Sequence, residues 1–116
     1  MDDADSLTAA ALRSVAGMKI YPDQAPTGAK PPYAVYQAVG GVSITDLDNN
    51  PDDLQNARMQ VAIWSPDKEE SVRCMQQARH AMMRAGAVPI GAPTSAYETD
   101  TKLYGRRLDF SIWFKE

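Results

Sequence analysis

The chain holds one cysteine, Cys74, and one histidine, His80, among its 116 residues, and it has no long apolar run. A single cysteine excludes an internal disulfide. One thiol and one imidazole fall short of the roughly four ligands that zinc takes. They also stand six positions apart, a spacing that puts them on different sides of a helix. Cys74 therefore reads as a buried structural thiol and His80 as a surface residue. No run approaches membrane-spanning length, and the acidic start "MDDADS" is the reverse of a basic signal peptide. A soluble, cytoplasm-made protein is the expectation. "VGG" and "IGAP" lack the lysine and the following helix that let a glycine-rich loop hold phosphate.

Concentrated positive charge is missing too. Fifteen acids stand against twelve bases, a net charge of -3, whereas phosphate-backbone binding calls for a basic face. Arg106 and Arg107 are consecutive, so in a strand they point to opposite faces and form no patch. Asp46, Asp48 and Asn50 start a calcium-loop pattern. Pro51 then stands where that pattern needs glycine, and Ala57 where it needs glutamate. A solvated turn is the expectation there, with no metal, no nucleotide and no cofactor. By these residues the chain is not an enzyme.

What is present is an ordinary soluble composition, 44% apolar and 23% charged, in a length that suits one domain over residues 1–116. A first helix is expected from about Asp5 to Ala16, capped by Asp5 or Ser6 and stopped by Gly17. Leu7, Ala11 and Val15 share its narrow apolar stripe. A short extended piece, Met18 to Tyr21, ends at Pro22. From Pro22 to Pro32 there are four prolines and one glycine, a stiff loop that delivers Tyr33 to its strand with little freedom left to lose.

Tyr33 to about Thr45 reads as a strand interrupted at Gly40-Gly41, followed by the polar loop "TDLDNNPDDLQN". In "ARMQVAIWS" Met59, Val61 and Ile63 point one way; Arg58, Gln60, Ala62 and Trp64 point the other. Ser65-Pro66-Asp67 signals a helix start, with Ser65 as the cap. That helix runs to about Ala85 on a stripe of Val72, Met75, Ala78, Met82 and Ala85, supported by Cys74 and Ala81. Pro89 to Tyr97, a turn at Glu98–Thr101, and "LYGRRLDFSIWFKE" complete the chain. In the last strand Leu108, Phe110, Ile112 and Phe114 alternate with Arg107, Asp109, Ser111 and Trp113. The expected fold is α+β, in the order α-β-β-β-α-β-β. Two hairpins form one mainly antiparallel sheet, with helices packed on it.

Trp64 and Trp113 both fall opposite the apolar rows, in company with Arg58, Gln60, Arg107 and Asp109. Tryptophan beside arginine on a polar face is the composition of a protein interface. The other reading is that the first helix or the proline-rich loop covers these tryptophans within the chain. Self-association through sheet edges and this Trp/Arg face is the expectation.

"YPDQAP…PPYAVYQ", "ARMQVAIWS" leading into an amphipathic helix, and "YGRRLDFSIWFKE" occur in that order over about Leu7 to Phe114. As an ordered set they resemble the tail-completion, or tail-terminator, proteins of long-tailed bacteriophages and prophages. The resemblance implies a structural virion protein without cofactor. Its subunits would form a ring, commonly a hexamer, that caps the tail tube and meets the head connector. It also implies assembly in the host cytoplasm and residence in the virion tail or neck. Arg58, Gln60, Val61, Trp64, Asp109 and Trp113 match the family pattern as marks of fold and packing. With almost no extension before the first helix, any docking arm would come from internal loops. Residues 40–56 carry Asp46, Asp48, Asp52 and Asp53 and, short of Arg58, no base; a mobile acidic loop that orders against neighbours is the expectation. The alternative function is a small cytoplasmic binding or adaptor module, with a ligand or peptide cleft beside the sheet.

Overall fold

The computed structural model describes residues 3–41 and 54–115. Along the chain run α1 (Ala4–Arg13), β1 (Lys19–Pro22), β2 (Tyr33–Gly40), β3 (Leu54–Ser65), α2 (Lys68–Arg84), β4 (Val88–Glu98) and β5 (Leu103–Lys115). The class is α+β, as the alternations predict. Two features of the expected sheet are corrected. It is mixed, because β1 lies parallel to β2 while the other three pairings are antiparallel. Its spatial order, β1-β2-β3-β5-β4, sets the last strand inside the sheet, between β3 and β4.

Helix boundaries follow side-chain chemistry. Asp3 caps α1, its carboxylate accepting the Ser6 amide at 2.7 Å, so the helix starts before either expected cap. That contact lowers the Asp3 pKa. Asp67 caps α2 by accepting the Glu69 amide at 3.2 Å. Ser65 instead links the strand end to the helix: its hydroxyl accepts from the Asp67 amide and donates to Glu70. Gly86, at φ 99°, turns the chain out of α2 in a conformation that disfavours side chains.

Both helices pack on one face of the sheet and on each other. A single cluster joins Leu12 of α1 and Val15 just after it, Met75, Ala78 and Met82 of α2, and Met59, Val61, Ile63, Leu108, Phe110 and Ile112 of the sheet. Alanines at 4, 9, 11, 78 and 81 are buried, and small side chains let the elements approach closely. The buried stripe of α2 holds Met75, Ala78 and Met82 with Cys74 and Ala81 in support, as expected, but Ser71 joins it while Val72 is half-buried and Ala85 is exposed.

Leu54, Gln55 and Asn56 belong to β3, not to a loop. At the far end of that hairpin Gly41 has φ 140°, and a Cβ there would land on the Asn56 carbonyl, so only glycine lets the two backbones meet. The extended reading of β2 beyond Gly41, and the acidic candidates Asp46, Asp48, Asp52 and Asp53, lie outside the described residues.

Gly105 gives the sheet a second close approach. It pairs with Trp64, and a Cβ at Gly105 would sit 2.6 Å from the indole Cζ3. The ring occupies the space that a side chain would fill. Gly105→Ala should displace the indole and destabilise the fold by about 1–3 kcal/mol, typical of overpacking at a filled site. Denaturant unfolding followed by tryptophan fluorescence checks this; a midpoint and emission spectrum equal to the wild type would show that the indole does not depend on the missing side chain.

Candidate functional site

With both helices on one side, the opposite face of the sheet has no helix over it. Register places all six expected interface residues there. Trp64 pairs with Gly105, Ala62 with Arg107, Gln60 with Asp109, Arg58 with Ser111 and Asn56 with Trp113, and directly opposed residues share a face. The expectation that Arg106 and Arg107 point to opposite faces also holds in this register. Arg106 opposes Ile63 on the helix side, and its Nη1 donates to Ser95 Oγ at 2.5 Å.

The uncovered face divides into two halves. One half is crossed by the proline-rich loop. Because β1 and β2 are parallel neighbours, the chain must return across the sheet between them, and residues 23–32 make that crossing. Asp23, at φ 63°, turns the chain off the edge while its amide donates to the Tyr36 carbonyl at 2.8 Å. Beneath the crossing lies a cleft of about 740 Å³ walled by Pro26 and Pro31 above and Tyr33, Gln37, Gln60, Trp64, Leu103 and Arg107 below, with Glu98 at its side. The Arg107 guanidinium lies 5.9 Å from the Trp64 ring centre, within cation–π range. Tyr21 braces Tyr33 edge-on, with ring centres 5.9 Å apart. Trp64 is thus partly covered by its own chain, one of the two readings left open by the sequence.

The other half is open. Trp113 is 48% exposed there. Arg58 Nε donates to Asp109 Oδ2 at 2.6 Å, and Asn56 Nδ2 donates to Ser111 Oγ at 2.7 Å. Leu54 pairs with Lys115, Val88 with Ser111 and Ile90 with Asp109, which sets three exposed aliphatic side chains on this face beside Trp113. Sequence reasoning missed these three. Leu54 stood in a stretch read as loop, and the face of Val88 and Ile90 depends on a register shift between Ile90 and Thr94. A cleft beside the sheet belonged to the alternative reading, but its place under the proline-rich crossing and its lining were not named; the one sequence signal for that place was the density of prolines.

The remaining candidates stay apart. His80 is exposed on α2, and Cys74 is buried, with burial pushing its thiol pKa up. Among the described residues no three of His, Cys, Asp or Glu gather as metal ligands, and no helix is long and apolar enough to cross a membrane.

Burial, followed by the negative charges of Glu98 and Tyr21, raises the Tyr33 phenol above its ordinary value. Below about pH 10 both folded and unfolded chains hold this proton, so stability is unaffected. Above it the unfolded chain gives up the proton first, and stability should fall as pH rises. Ultraviolet titration should show one of the five tyrosines ionising late, and Tyr33→Phe should remove that phase. Unchanged titration in the variant would assign the late phase elsewhere.

Comparison with known proteins agrees with this architecture at the level of family. A search of curated proteins gives no match. The model of the family "Tail completion protein gp17" matches residues 5–115, from the first turn of α1 to the end of β5. A match that runs through every helix and strand shows that the chain belongs to this tail completion family and is a structural protein of the bacteriophage tail.

Proposed function

We propose that the protein is a single tail-terminator-like domain whose copies form a ring, with a hexamer as the expected number, that caps the tail tube and takes part in head–tail joining. The family supports the tail role. The observation that carries assembly is the open half of the sheet, where Trp113 and exposed aliphatics surround the Arg58–Asp109 pair. Its partners are further copies of itself, the tail-tube protein and the head–tail connector, met in the host cytoplasm and kept in the virion. Acidic residues 46, 48, 52 and 53 would face those neighbours.

The face is a better contact than the edges. β1 is four residues long and ends on Pro22. β4 carries Pro89, Gly91 and Pro93 and is broken by its register shift. Short, proline-bearing and irregular edges resist strand addition.

The cleft under the crossing favours a second reading, a binding module that holds a small ligand or peptide there. Trp113 lies outside that cleft and Trp64 lines it, so substitutions separate the two. Arg58→Ala should cost the isolated chain no more than about 1 kcal/mol, because Arg58 is half exposed and its ion pair is solvated. Assembly should weaken by about 2 kcal/mol or more in Trp113→Ala or Arg58→Ala if either is an anchor. Light scattering at high concentration, with and without tail tubes, measures this. Variants that assemble and cap tubes like the wild type would remove the open half from the contact, and a strictly monomeric wild type under both conditions would remove the ring.

A further inference from the structure

The charge of this chain is segregated in a way that the uncovered sheet face does not use. From Ser71 to Tyr97 there are three arginines and a histidine and no carboxylate. From Val42 to Asp53 there are four aspartates and no base. Burial of Ser71, Cys74, Met75, Ala78 and Met82 turns the opposite side of α2 to solvent. From Arg73 onward that side presents Arg73, Gln77, His80 and Arg84 along one ridge, spaced four, three and four residues apart, all exposed, with the exposed Glu69 one turn before them on the same ridge. Arg79 flanks the ridge half-buried, and Met83 stands beside it, 44% exposed. Helix-dipole stabilisation accounts for a cation in the last turn, where Arg84 lies. It accounts neither for an exposed methionine nor for the lack of acids on that ridge after Glu69. Arg73 reaches Glu70 only at 4.0 Å, and Arg79 and Arg84 have no ion-pair partner among the described residues.

We infer that the basic C-terminal face of α2 is a docking surface for the acidic segment 42–53 of a second copy of the chain. Charge complementarity selects this occupant: four aspartates interleaved with Val42, Ile44 and Leu47 match arginines beside an exposed methionine. The two surfaces are different parts of one subunit, so their contact is head-to-tail, the kind that closes rings. Backbone register places Gly40, Arg58, Ser111 and Val88 in one row across the sheet. The point where the chain leaves β2 for the acidic segment and the start of β4, just after α2, therefore lie at the same end of the sheet. The inference rests on the ring reading for its second copy, and its test is independent of ring formation.

The test titrates a blocked peptide with the sequence of residues 42–53 onto the full chain and follows amide shifts along α2 by NMR. The expected result is saturable shifts over Arg73–Arg84, weakened at least about tenfold when salt rises from about 0.02 to 0.5 M. The shifts should be lost with a peptide whose aspartates are asparagines, and lost in Arg79→Gln/Arg84→Gln, with circular dichroism confirming the fold. The asparagine peptide decides the matter even if that variant fails to fold. No saturable shift, or equal binding of the asparagine peptide, overturns the inference. Binding that appears only after the chain's own four aspartates are changed to asparagine would place the contact within one subunit and overturn it too. So would short duplex DNA shifting the same residues while the peptide does not. Light scattering run in parallel separates the readings: peptide binding by a chain that never self-associates sinks the ring alone, and self-association without peptide binding sinks this docking surface alone.

Discussion

Twelve consecutive residue pairs join β3 to β5, and side-chain alternation along both strands turns that ladder into two unlike surfaces. On one surface Met59, Val61 and Ile63 meet Leu108, Phe110 and Ile112, all almost wholly buried. Burying each such side chain contributes roughly 1.5–3 kcal/mol, so a one-residue slip would transfer the whole row to water. That cost holds the register. The register in turn sets Trp64 over Gly105, Arg58 beside Asp109 and Trp113 beside the start of β4.

Covering only one side of such a ladder has consequences for assembly. Two helices share one core, and their small side chains let both fit on the same face of five strands. The other face is left to a ten-residue crossing stiffened by prolines, which reaches only the half built from Tyr33, Trp64 and Arg107. A tail structural protein needs surfaces committed to neighbours, and the half without cover offers apolar anchors around a solvated ion pair. Blunted edges on both sides of the sheet favour contact through that face over open-ended strand addition. The outer side of α2 adds a second, electrostatic surface with a different direction.

Much of the fold was legible because local rules and tertiary demands agree. The β3 and β5 alternations name the core row and the interface candidates residue by residue, since a strand has period two whatever its partner. The α2 stripe departs from its expected line only at its ends, where Ser71 is small enough to be buried while Val72 sits at the margin and Ala85 is exposed. Ser65 was read as a cap because its hydroxyl is the right chemistry, yet Asp67 is two residues nearer to the helix. The parallel β1 was not legible: a short strand followed by ten residues fits a hairpin partner as well as a crossing.

Sequence alone determined the class of the fold, the two strand faces and the family, because alternation, capping chemistry and ordered motifs are local properties of the chain. Only the tertiary structure decided that both helices share one face, that β5 enters between β3 and β4, and that the proline-rich segment roofs a cleft against Trp64. Those choices depend on which surfaces meet from distant parts of the chain, and the energy of such a meeting is invisible until both sides are in place.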